Sequence, residues 1–234
     1  MGKGLACNHS VRFTESTPRC TLRAGAASVL QQSDVVHQMK DIRICFVGDS
    51  FVNGMGDESA LGWAGRLCRD AHGQGIPVTG YNLGVRRETS RDICRRLEAE
   101  CTPRLPADCD GRIVLSCGVN DTMWEKDSTR VPFEESVANL DTMLGFASSV
   151  LCLVVGPPPV DDDEHNHRIE SLSAAFAGLA RERGVPFIDL FGPLADEAAY
   201  RRAVQQGDGA HPESTGYARM TEVIASSPDW WFRG

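Results

Sequence analysis

From position 41 onward, short apolar runs alternate with longer stretches of helical period, and this alternation constrains the chain more than any other feature. The apolar runs fall at 42–47, 78–82, 113–116, 151–155 and 187–190, and several are rich in β-branched residues. Strands covered on both faces read this way, because neither face of the sheet meets water. Between them, 61–72 puts Leu61, Ala64, Leu67, Cys68 and Ala71 on one helical face. The stretch 90–101 does so with Ile93, Leu97 and Cys101, and 169–183 with Leu172, Phe176 and Leu179. Two more helices are expected at 132–147, with Pro132 at the first helical position, and at 213–226. Strands alternating with helices close through right-handed crossovers, so the expected fold class is α/β with a five-stranded, mostly parallel sheet.

The chain has 234 residues, 41% of them hydrophobic and 24% charged, which suits one domain with a sizeable core. Residues 1–38 read differently: Ser, Thr, Gln and small residues dominate and no period is sustained. We expect a poorly ordered N-terminal extension at 1–38, with a weak amphipathic helix at 26–38 as the other reading, and a single domain at 39–234. A formal net charge of -8 argues against a nucleic-acid track, which needs clustered cations. The pairs Arg86-Arg87, Arg95-Arg96 and Arg201-Arg202 are scattered and read as solvated faces.

Nine cysteines form no CxxC pair, and Cys45, Cys117 and Cys152 sit inside strand-like runs as small hydrophobes. This points to a reducing, cytoplasmic compartment, with no disulfide framework and no zinc site. No apolar run is long enough to span a membrane. The Leu-Ala-Cys near the start has no hydrophobic stretch before it, so it is not read as a lipoprotein signal.

The chemistry is concentrated in the segments at the strand ends. Gly48-Asp49-Ser50 comes after the first strand, "GVRRETS" (84–90) after the second and "GVND" (118–121) after the third, while "DGAHP" (208–212) precedes the last helix. In a parallel sheet these segments project from one edge, where ligands bind. That edge would bring together Ser50, Asn120, Asp208 and His211. A serine hydroxyl is a weak nucleophile until a base takes its proton, and a histidine oriented by a carboxylate can take it near neutral pH. Asp208 and His211 are three apart, so one turn can pair their side chains, with His211 facing Ser50. The Asn120 amide and the Ser50 backbone N–H are suitable donors for a developing oxyanion.

The blocks "GDSF", "GVND" and "DGAHP", in this order and at these distances, resemble those of the SGNH hydrolases, the GDSL esterase/lipase superfamily. The resemblance runs from about Ile42 to the final helix. It implies a flavodoxin-like, three-layer α/β/α sandwich with Ser50 as nucleophile, His211 as base, Asp208 as orienter and Asn120 as an oxyanion donor. It also implies hydrolysis of small-molecule acyl esters or thioesters with no metal or other cofactor. Two positions depart from the family. Phe51 stands where leucine is usual. In the second block, anchored on Asn82 and Thr89, Arg87 occupies the place of a glycine whose N–H faces the oxyanion. Arg87 also has a backbone N–H, and it can serve if that position does not demand φ > 0. Its guanidinium would add a positive charge suited to a carboxylate or phosphate on the substrate. Gly84 falls three residues early and is read as a turn residue.

The remaining polar residues have plainer readings. Asp49 and Asp121 are expected to brace their loops through backbone hydrogen bonds. "PPPVDDDEHNH" (157–167) has no recognised metal-ligand spacing and is read as a solvated loop beside the pocket, its acids at the start of the next helix. Trp63, Trp124, Trp230 and Trp231 are read as core or surface cover, with Trp124, which closely follows the Asn120 loop, the one candidate for a substrate platform. The alternative function is a non-catalytic ligand-binding member of the same fold, motivated by Arg87. A flavin or nucleotide site fits less well, since the loop after the first strand has no phosphate-cradling glycines.

Overall fold

The computed structural model describes residues 41–233, and the extension read at 1–38 lies outside them. The chain runs β1 (Ile42–Gly48), α1 (Ser50–Asn53), α2 (Gly62–Gly73), β2 (Val78–Gly84), α3 (Ser90–Cys101), β3 (Asp110–Ser116) and α4 (Val119–Thr122). It continues through β4 (Trp124–Glu125), β5 (Ser128–Thr129), α5 (Phe133–Ala147), β6 (Leu151–Val155), α6 (Asp163–Glu182) and β7 (Phe187–Ile188). The helices α7 (Phe191–Ala195), α8 (Ala198–Gln206) and α9 (Ser214–Ser226) complete it.

The five expected strands form one parallel sheet in the order β2-β1-β3-β6-β7. This is the flavodoxin-like order, and the chain changes direction across the sheet between β1 and β3. At such a switch the loops leaving the two strands diverge to opposite faces and leave a crevice at the carboxyl edge. Ser50 lies just past β1 and Asn120 just past β3, so both are delivered to that crevice.

Side chains alternate across the sheet with period two. Ile42, Ile44 and Phe46 of β1 face one helical layer, packing with Trp63 and Leu67 of α2, Tyr200 of α8, and Tyr217 and Met220 of α9. Cys45 and Val47 face the other layer, with Ile93 and Leu97 of α3, Leu140 and Met143 of α5, and Phe176 of α6. Each fully buried side chain of this size contributes about 1.5–3 kcal/mol relative to exposure. Trp63 is fully buried and meets Phe46 edge-on at 5.7 Å. The sheet is thus sandwiched between two helical layers.

The structure corrects two readings. Gly84 ends β2 opposite Gly48 rather than serving a turn. A Cβ on Gly84 would collide with Asn53 N, and one on Gly48 with Ser116 O, so both glycines permit close backbone approach beneath α1. The second correction concerns 157–167, which is not a solvated loop throughout. Pro157, Pro158, Pro159 and Val160 are buried. Prolines bring no N–H that needs a partner, which eases the burial of such a run, and the Pro159 carbonyl accepts from Tyr200 Oη at 3.0 Å. The acidic residues after it do open α6, with Asp162 accepting from His165 N at 2.9 Å, but α6 starts at Asp163, six residues before the expected 169. His165 is buried and donates from Nε2 to Val119 O at 3.0 Å, fastening α6 to α4. Burial holds its imidazole below the usual value, which keeps it neutral in this structural role.

Candidate active site

Ser50 is placed by the sharp exit from β1. Asp49 precedes α1 and accepts from Phe51 N at 2.9 Å, closing the turn that raises Ser50 at the sheet edge. Gly54, left-handed at φ 86°, ends α1 after one turn. At the other end of the chain, the loop between α8 and α9 is organised by Asp208. Its Oδ1 accepts from Ala210 N at 3.0 Å and His211 N at 2.7 Å. Its Oδ2 lies 2.8 Å from His211 Nδ1. Burial works against the Asp208 charge, but these bonds outweigh it and hold the carboxyl below its usual range. An ionised carboxylate can only accept, so Nδ1 carries the proton and donates. In the neutral ring with this tautomer, Nε2 is the acceptor, and it lies 2.7 Å from the Ser50 hydroxyl. The Phe51 ring lies 4.9 Å from the imidazole, centroid to centroid, and limits how that ring can turn. The leucine-to-phenylalanine departure therefore adds a flat wall behind His211.

The third strand brings Asn120 to the same place. Its Nδ2 donates to Asp49 Oδ2 at 3.1 Å, while its Oδ1 accepts from Arg130 Nη1 at 3.2 Å. Burial pushes the Asp49 carboxyl up to about 7, against the pull of Phe51 N–H and Asn120. Asp121 ties the third block to the second by accepting from Ser90 N at 2.7 Å. Asp49 and Asp121 thus brace loops, each through a backbone N–H.

The second block is anchored by Asn82, which donates to Val52 O at 2.8 Å, and by Thr89, whose N–H bonds to Asp92 at the start of α3. Arg96 crosses beneath it and donates to Gly48 O at 3.0 Å and Leu83 O at 2.8 Å. Arg87 sits at φ 68°, so the condition that this position avoid φ > 0 is not met, and the arginine keeps its N–H only by adopting the left-handed region that favours glycine. The chain holds an arginine where glycine would be unstrained, at a cost of about 1–2 kcal/mol. The Arg87 carbonyl accepts from Arg130 Nη2 at 2.9 Å, and its own guanidinium lies 3.8 Å from Glu125. Its side chain is largely exposed.

Sequence reasoning missed Arg130 and the hairpin that carries it. β4 and β5 pair antiparallel, Trp124 opposite Thr129, and Arg130 N donates to Met123 O at 3.0 Å to close the ribbon. Strands of two residues carry no legible period. Trp124 is exposed on this hairpin beneath the Arg168 guanidinium, 5.8 Å away. Among the described residues no cluster of His, Cys, Asp and Glu is arranged to hold a metal ion, and no helix is long and apolar enough to cross a membrane.

Residues 46–219 match the GDSL-like lipase/acylhydrolase family, and the chain belongs to that family of ester hydrolases, within the SGNH superfamily. Solved structures share the fold. A lipase/acylhydrolase from Enterococcus faecalis is 24% identical with a TM-score of 0.67, covering 78% of this chain and 93% of that one. The psychrotrophic esterase EstA from Pseudoalteromonas sp. is 16% identical with a TM-score of 0.65, covering 82% and 98%. An acetylxylan esterase from Geobacillus stearothermophilus is 16% identical with a TM-score of 0.64, covering 83% and 96%. A search of curated protein sequences gave no match.

Proposed function

We propose that the protein hydrolyses small-molecule carboxylic esters or thioesters through an acyl-enzyme on Ser50, with His211 as base and Asp208 as its orienter. The observation that carries this reading is the unbroken chain of short contacts, Ser50 Oγ to His211 Nε2 at 2.7 Å and His211 Nδ1 to Asp208 Oδ2 at 2.8 Å. Ser50 Oγ attacks the acyl carbon while Nε2 takes the hydroxyl proton, and the carbonyl electron pair moves onto oxygen. Asn120 Nδ2–H and the backbone N–H groups of Ser50 and Arg87 receive that oxyanion. Collapse expels the alkoxide or thiolate, which takes the proton from His211. Water then repeats the sequence on the acyl-enzyme, releasing the acid and restoring Ser50. The non-catalytic alternative draws on Arg87, yet a left-handed arginine still offers its N–H. The described cysteines are free thiols, which favours a reducing, cytoplasmic compartment.

Steady-state rates on a nitrophenyl ester test the assignment. Ser50→Ala and His211→Ala should each lose kcat by about 10⁶-fold, because nucleophile and base act as a unit. Asp208→Asn should retain more, losing on the order of 10⁴-fold, because the carboxylate orients rather than reacts. Wild-type turnover in Ser50→Ala would end the reading.

A further inference from the structure

One guanidinium touches both segments that the proposed reaction uses for its oxyanion outside Ser50. Arg130 Nη1 donates to Asn120 Oδ1 at 3.2 Å, and Nη2 donates to Arg87 O at 2.9 Å. The remaining edge of the fork faces Glu125 Oε1, 3.5 Å from Nε. The Arg130 side chain is only 18% exposed, so it is partly screened from water, and its planar fork fits two carbonyls side by side.

We propose that Arg130 is a positioning residue that orients the Asn120 amide and stabilises the left-handed turn at Arg87, so that two oxyanion donors are set by one side chain. This rests on the serine-hydrolase reading above. The two ends of an asparagine amide are nearly the same shape, and only their partners fix which end is the donor. At Asn120 the partner that decides is Arg130, because a guanidinium can only donate. Asp49 Oδ2 accepts one Nδ2 proton at 3.1 Å, and the Arg130 guanidinium fills the carbonyl end. A flipped amide would set its NH₂ against the guanidinium, which has only donors, so the Arg130 contact excludes the flip whichever form the Asp49 carboxyl takes. With the flip excluded, the second Nδ2 proton is the one left for substrate. Donation into Oδ1 also polarises the amide, which makes that N–H a better donor. At Arg87 the same guanidinium binds the carbonyl of a residue whose φ of 68° is intrinsically unfavourable. The hairpin of β4 and β5 thereby gains a function: it supplies Glu125 to aim the fork and places Arg130 directly after β5.

The test is a double-mutant cycle on a neutral nitrophenyl ester. Arg130→Met should lower kcat about 10- to 100-fold with KM within about twofold, because the misaimed donors act on the transition state and not on ester binding. In the Asn120→Ala background the same substitution should cost at least about fivefold less, since the amide it orients is gone. A structural effect alone would multiply through both backgrounds equally. Melting temperatures are compared first, and Arg130→Lys carries the test if the methionine variant is unfolded. Lysine keeps the charge but cannot span two carbonyls, so it should show a loss of the same order as Arg130→Met. A kcat within about twofold of wild type for a folded Arg130 variant, or full additivity in the cycle, would overturn the proposal while leaving the hydrolase reading intact. A wild-type chain that neither turns over the ester nor accepts a fluorophosphonate on Ser50 would overturn both.

Discussion

At the scale of single residues, Arg87 is the position where local preference and the needs of the site conflict. Its φ of 68° suits glycine, and glycine is what the family usually has there. If Arg87 acts as a main-chain donor, its substitutions should separate backbone from side chain. Arg87→Gly should raise stability by about 0.5–1 kcal/mol, the left-handed cost removed less the greater freedom of glycine in the unfolded chain. It should also hold kcat on a neutral ester within a few-fold, since the N–H remains. Arg87→Pro should lose both folding stability and activity, because the ring fixes φ near −65° and removes the donor. Thermal melts and steady-state kinetics on the two variants check this. A glycine variant that melts normally but loses as much rate as Asn120→Ala would assign the role to the guanidinium instead. None of this conformational detail is legible in the sequence. Asn82 and Thr89 anchor the second block, but an arginine in the chain does not announce a left-handed dihedral.

At the scale of elements, Ser50 and His211 come from distant parts of the chain and need a clamp to stay together. Asp57, after α1, and Arg66, on α2, form a buried ion pair whose side chains are 0% and 8% exposed. Arg66 also donates to Ser214 Oγ at 2.6 Å, at the start of α9 and three residues past His211. Burial disfavours the Asp57 charge, but the bonds from Arg66, Ser59 and Gly62 N–H outweigh it and hold the carboxyl well below its usual range. Asp57→Ala would leave a guanidinium buried and unpaired and should cost about 3–5 kcal/mol. The stabilisation from the lowered Asp57 pKa is fully present above the ordinary carboxylate range and is lost as pH falls through the folded value. The melting difference between wild type and Asp57→Ala should therefore stay level from about pH 5 to 8 and shrink below about pH 4. A difference that grows on acidification would contradict the pair's role. The main elements themselves are legible in the sequence, because a buried parallel strand and an amphipathic helix have different periods. The start of α6 is not, since 163–168 is polar except for the buried edge of His165. Nor is α8, whose inward face is only Tyr200, Ala203 and Val204.

At the scale of the whole molecule, the fold explains why four short motifs separated by most of the chain can act together. The parallel sheet sends every strand's carboxyl end to one edge, and the switch between β1 and β3 opens that edge between Ser50 and Asn120. The motifs are readable in sequence because each sits at a strand end or helix start that the sheet fixes. Arg130 is not, because a hairpin of two-residue strands sets its place. The central claim is that His211, oriented by Asp208, makes Ser50 a nucleophile. The most direct measurement is reaction of the wild-type chain with a fluorophosphonate, with the product read by intact mass and peptide mapping. The expected result is a single phosphonyl adduct on Ser50, formed rapidly in wild type and slowed by at least about 10³-fold in His211→Ala, since attack on phosphorus also needs the hydroxyl proton removed. A folded wild-type protein that stays unmodified, or that is labelled at another residue with Ser50 untouched, would contradict it.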